Sequence, residues 1–174
     1  RSRGERAPVD PRRVPGLITY WRPMLLEQKL GMAALCEREN LELATDALMP
    51  FAHWITPKAR AKRFDTHFFL AGLPVGQEPA HDGVESVASG WYDPAETIRA
   101  ADAGSRAMVF PTRMNLAKLA RAPTSAQALA RARDERVVTV CPEMLERDGK
   151  RFLRIPSEAG YGVSEVDISG YRTA

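Results

Sequence analysis

The sequence predicts an α/β or α+β sandwich, and three observations carry that expectation. Two runs rich in aromatic and β-branched residues, 49 to 56 and 64 to 72, are bounded by Pro50, Pro57 and Pro74 and read as strands. Asp93-Pro94-Ala95-Glu96 opens a helix, because the Asp93 carboxylate suits a free first-turn N–H, proline fits the first helical position and Glu96 reaches back. Apolar residues then recur at helical spacing through Leu116, Leu119, Ala120, Ala126, Leu129 and Ala130. Strands and helices thus alternate along one chain.

Composition narrows the possibilities further. At 174 residues and 44% hydrophobic content the chain is long enough for one domain with a real core. Residues 1 to 16 hold Pro8, Pro11, Pro15 and Gly16 among five arginines and are expected to form a mobile arm or linker, leaving 17 to 174 as the folded part. The longest apolar stretches are interrupted by Arg, Glu or Pro within about ten residues, so a soluble protein with no membrane partner is expected. Cys36 and Cys141 fit neither a disulfide framework nor a zinc knuckle and read as reduced thiols of a cytoplasmic protein. The C-terminal Arg172-Thr173-Ala174 is not a peroxisomal signal, which agrees with that location. Lys and Arg number 25 against 22 Asp and Glu, so any preference for anions is local, and no nucleic-acid partner is expected.

The remaining elements follow in order. Leu26, Leu30, Ala33 and Ala34 predict one amphipathic helix over 23 to 40, with Pro23 in its first turn and Asn40 at its stop. A third strand is expected from Val84 to Trp91, followed by a helix from Asp93 or Pro94 to about Ala103, closed by Gly104. Thr112 is expected to cap the next helix, which Pro123 ends, and Thr124 or Ser125 opens another. Asp148-Gly149 marks a hairpin turn between 137–140 and 152–155.

The order Pro50-Phe51-Ala52-His53-Trp54-Ile55-Thr56-Pro57, then Arg63-Phe64-Asp65-Thr66-His67-Phe68-Phe69-Leu70, then Glu85 through Trp91-Tyr92-Asp93-Pro94-Ala95-Glu96 resembles the C-terminal part of a Nudix hydrolase. The likeness covers roughly residues 41 to 165 and is to the coenzyme A diphosphatase-like branch. It implies a Nudix-like α/β/α sandwich with a mixed sheet, incomplete at its N-terminus. It also implies a Mg²⁺- or Mn²⁺-dependent hydrolase that cleaves a diphosphate linkage in coenzyme A, acyl-CoA or a related nucleotide derivative. The family's glutamate-rich box is absent. Arg38-Glu39-Asn40-Leu41-Glu42-Leu43-Ala44-Thr45 supplies an arginine and two glutamates, but Leu43 and Thr45 replace the second paired Glu and the Gly. The expected box lies upstream of this segment, and the chain by itself is expected to be inactive.

Within the resemblance, Glu85 is the expected catalytic carboxylate and metal ligand, since such enzymes place an acidic residue after the box to bind metal or activate water. Among Lys58, Arg60, Lys62 and Arg63, Arg63 and Lys62 are the expected phosphate-binding cations, Arg63 foremost because the following strand fixes its direction. His53, His67 and His81 fit no short metal-ligand spacing and fall in different predicted elements. Trp54, Phe68, Phe69 and Trp91 read as sheet core. The alternative to the enzyme is a non-catalytic Nudix-like module that recognises a nucleotide without cleaving it.

Overall fold

The computed structural model describes residues 1–169; the C-terminal tripeptide considered above lies outside them. Helices and a mixed sheet are both present, so the fold is of the α/β or α+β class. Where the sequence suggests one folded body from residue 17 onward, the chain divides into two compact units, Arg1–Leu48 with Gly72–Trp91, and Met49–Ala71 with Tyr92–Ala174.

The first unit holds α1 (Val14–Leu26) and α2 (Met32–Arg38). The single helix expected over 23 to 40 is therefore two. Pro15 sits in the first turn of α1, where its missing N–H costs nothing, and the chain breaks after Leu26 because Gln28 takes a left-handed φ of 56°. Asn40 does end α2, with φ 52°. Trp21, Leu35 and Leu41 bury together with Leu17, Met24 and Leu30 packed around them. The Trp21 indole N–H donates to Glu39 Oε1 at 2.8 Å, which keeps its polar end satisfied.

The expected mobile arm is instead tied down. Ser2 bridges Leu41, and Arg1 pairs with Glu42 at 2.7 Å and with Asp46 at 2.8 Å. Those hydrogen bonds from Arg1 hold both carboxyls below the ordinary range. Arg22 on α1 donates to the carbonyls of Ala80 and His81, anchoring the 72–91 segment.

That segment contains no strand, which corrects the one expected from Val84 to Trp91. Asp82 Oδ1 accepts from the backbone N–H groups of Val84, Glu85 and Ser86 at 3.0–3.1 Å, folding the chain into a turn at the point where a strand would have to start. Trp91, read from the sequence as core, is 78% exposed.

The second unit contains two three-stranded sheets. In the first, β1 (Met49–Ile55) lies between β2 (Asp65–Leu70), antiparallel to it, and β3 (Thr139–Val140), parallel to it. Pro50 cannot donate to the ladder, and the register slips between Pro50 and Ala52. In the second sheet β4 (Glu143–Arg147), β5 (Lys150–Arg154) and β6 (Glu165–Asp167) run antiparallel. Asp148 and Gly149, both with positive φ, form the β4–β5 turn as the sequence predicts. The partner strand is 143–147, however, not 137–140. Its Glu143, Glu146 and Arg147 hid it, because β4 is an exposed strand with no apolar alternation to betray it.

The unit also holds three helices: α3 (Pro94–Asp102), α4 (Phe110–Leu119) and α5 (Ser125–Asp134). Asp93 Oδ1 accepts from the Glu96 N–H at 2.9 Å, and Thr124 caps α5 by accepting from the Gln127 N–H at 3.2 Å. Thr112 does not cap α4; that helix begins at Phe110 after Val109, and Pro111 occupies its first turn. One core joins the unit: Phe51, Ala52, Trp54 and Val140 of the first sheet, Phe110 and Met114 of α4, Ala132 of α5, and Leu153, Ile155, Tyr161 and Ile168 from the C-terminal part. Small alanines on α5 let its axis approach the sheet closely.

Candidate functional site

The alternation of β1 and β2 turns one row of side chains inward and the other outward. Trp54 and Ala52 of β1 oppose Thr66 and Phe68 of β2, while His53 and Ile55 oppose His67 and Asp65 on the other face. Each face carries a distinct candidate site.

The inner face opens into a cavity of about 480 Å³. Its walls are apolar: Trp54 and Phe68 from the first sheet, Phe64 just before β2, Met144 and Leu153 from the second sheet, Ile168 beyond β6, and Met108 to Pro111 at the start of α4. Arg60 and Lys62 from the β1–β2 loop also line it, and both residues are exposed. Thr56 closes that loop, its N–H donating to the Phe64 carbonyl at 2.9 Å and its hydroxyl accepting from the Phe64 N–H at 2.9 Å. The N-terminal end of α4 lines the same cavity.

Arg63, the cation the sequence favoured for phosphate, donates through Nε to the Thr56 carbonyl at 3.0 Å and so braces the loop. Lys62 lies over the Phe64 ring at 5.0 Å, within reach of the cavity. Arg60 is the cation that sequence reasoning passed over, because nothing in a charge run distinguishes the member that turns toward a cavity. Glu85 belongs to the other unit, on the Asp82 turn and exposed, so the structure gives it a loop position in place of the expected strand.

Behind the cavity lies a small polar cluster. Trp54 Nε1 donates to Tyr161 Oη at 2.9 Å and to Asn115 Oδ1 at 3.1 Å, and Tyr161 donates to the same Asn115 oxygen at 2.8 Å. Asn115 Nδ2 is buried without a partner. Burial pushes the Tyr161 phenol up from its ordinary 10.0 to about 12, so it stays protonated and serves as a structural donor.

On the outer face His53, Asp65 and His67 converge. His53 Nε2 lies 2.6 Å from Asp65 Oδ1, His53 Nδ1 lies 2.8 Å from Thr139 Oγ1, and His67 Nε2 lies 3.9 Å from Asp65 Oδ1. The two imidazoles stack at 3.9 Å, 8° from parallel. Sequence spacing could not join residues 53 and 67; the antiparallel register does, making them direct cross-strand neighbours. His81 takes no part, lying in the other unit with Nδ1 3.1 Å from Ser89 Oγ.

The expected Mg²⁺ or Mn²⁺ calls for several oxygen ligands. Among the described residues the group of three donors that fits a metal is His53, Asp65 and His67, a nitrogen-rich set, and Glu85 is not part of it. That nitrogen-rich set does not fit Mg²⁺. Compared with protein-family models, with curated proteins and with solved structures, the chain matches none.

Proposed function

We propose that this chain holds the substrate of a hydrolase that cuts a diphosphate linkage, with coenzyme A, an acyl-CoA or a related nucleotide derivative as the substrate class. The observation that supports it is the cavity on the inner face of β1 and β2. Apolar walls suit a thioester tail or a base, and Arg60 and Lys62 suit the phosphates beside it. The resemblance of residues 41 to 165 to Nudix enzymes supplies the reaction class, and the site supplies the ligand chemistry. No catalytic step is assigned to this chain, because its described residues offer no oxygen-rich metal cluster to drive one. Binding without cleavage is therefore the activity expected of the chain alone.

The test is calorimetric titration of coenzyme A, and of pantetheine as a probe lacking the diphosphate, into the purified chain. Arg60→Ala and Lys62→Ala should each weaken coenzyme A by roughly fivefold, about 1 kcal/mol for an exposed charge contact, and leave pantetheine unchanged. Equal binding of coenzyme A by the double variant and the parent would refute the cavity as a phosphate site. Robust Mg²⁺- or Mn²⁺-dependent hydrolysis of coenzyme A by the isolated chain would refute the division between binding and chemistry.

A further inference from the structure

We propose that His53, Asp65 and His67 form a binding site for a borderline divalent transition-metal ion, for which Zn²⁺ is the probe, on the sheet face turned away from the cavity. The inference stands on the geometry of that face and does not depend on the diphosphate reading.

Two imidazoles and one carboxylate are the donor types that such ions prefer, whereas Mg²⁺ and Ca²⁺ select all-oxygen sets. Their placement follows from the strand pairing. His53 and His67 are cross-strand partners, and Asp65, two residues before His67, shares their face. One donor atom from each lies within 4.8 Å of the others. Ligand bonds of about 2.0–2.2 Å in a tetrahedral site set donor atoms about 3.4 Å apart, so His53 Nε2 and Asp65 Oδ1 must separate from 2.6 Å while His67 Nε2 closes from 3.9 Å, and the parallel rings must tilt until their lone pairs converge. Two of the three are free to do so, since the side chains of His67 and Asp65 are 62% and 63% exposed, while that of His53 is 15% exposed and fixed.

Thr139 on β3 is the residue that lets His53 serve as a ligand. Its hydroxyl, 2.8 Å from His53 Nδ1, is able either to donate or to accept. When Nδ1–H donates to Thr139, the lone pair of Nε2 points toward Asp65, where the ion would sit. The outer partner thus sets tautomer and ring orientation, as second partners of metal-bound histidines do. The exposed side leaves room for water as a fourth ligand.

The experiment is titration of Zn²⁺ into the tag-free chain in metal-free buffer, with Co²⁺ absorption as a spectroscopic reading of the ligand field. One Zn²⁺ per chain is expected, with His67→Ala and Asp65→Asn each weakening it by at least about tenfold and abolishing the Co²⁺ bands. Circular dichroism checks that these exposed substitutions leave the fold intact. His81→Ala and the double variant Cys36→Ser, Cys141→Ser should bind Zn²⁺ as the parent does. Undiminished binding by His67→Ala, or loss of binding in the His81 or cysteine variants, would overturn the assignment.

Discussion

Removing a single oxygen by Tyr161→Phe tests the buried polar cluster that holds β1, α4 and the C-terminal part together. The hydroxyl accepts from Trp54 Nε1 at 2.9 Å and donates to Asn115 Oδ1 at 2.8 Å, so two hydrogen bonds are lost. Neither partner is stranded, because Trp54 Nε1 still reaches Asn115 Oδ1 at 3.1 Å. The phenyl ring preserves the packing against Trp54, whose centroid is 5.3 Å away. The cost is therefore that of one to two net hydrogen bonds, about 1–2 kcal/mol, without a desolvation penalty for an orphaned group. Urea unfolding followed by circular dichroism should show a lower midpoint at unchanged slope. The alternative amide orientation of Asn115 would turn its Nδ2 toward Trp54, leaving the indole N–H without an acceptor in the variant and adding about 1–3 kcal/mol. A loss well above about 3 kcal/mol would refute the bonding scheme in that direction, and a loss under about 0.5 kcal/mol would refute it in the other.

Further predictions concern pH, capping and the two sites. Because the folded Tyr161 holds its proton to about 12 against an ordinary 10.0, the unfolded chain ionises first, and stability should fall as pH rises through that window. Tyr161→Phe should remove this decline, measured as thermal midpoint against pH. Thr124→Ala deletes the cap of α5 and should cost about 1 kcal/mol in the same unfolding assay, while Thr124→Asp should retain most of it. The coenzyme A and Zn²⁺ titrations described above complete the set, and they are independent because the cavity and the histidine cluster occupy opposite faces of β1 and β2.

What the sequence determined by itself was local. Asp93 and Thr124 cap helices because a carboxylate or hydroxyl there meets free first-turn N–H groups wherever the helix packs. Asp148-Gly149 turns the chain because both residues tolerate a positive φ, and β1 and β2 announce themselves by aromatic density between prolines. The segment from Val84 to Trp91 failed for an equally local reason: the Asp82 carboxylate collects three backbone N–H groups that a strand would have needed for its ladder.

The sites were decided by tertiary structure alone. Antiparallel register, not spacing, places His53 beside His67, and a parallel crossing by β3 brings Thr139 behind His53. The cavity needs walls from two sheets and the start of α4, segments far apart in the chain, so no motif could announce it. The charge run at 58–63 offered four cations, of which the sequence favoured Arg63 and then Lys62. Only the closed loop shows that Arg63 braces the Thr56 carbonyl while Arg60 and Lys62 line the cavity, because a side chain's direction depends on the backbone bonds that fix its loop.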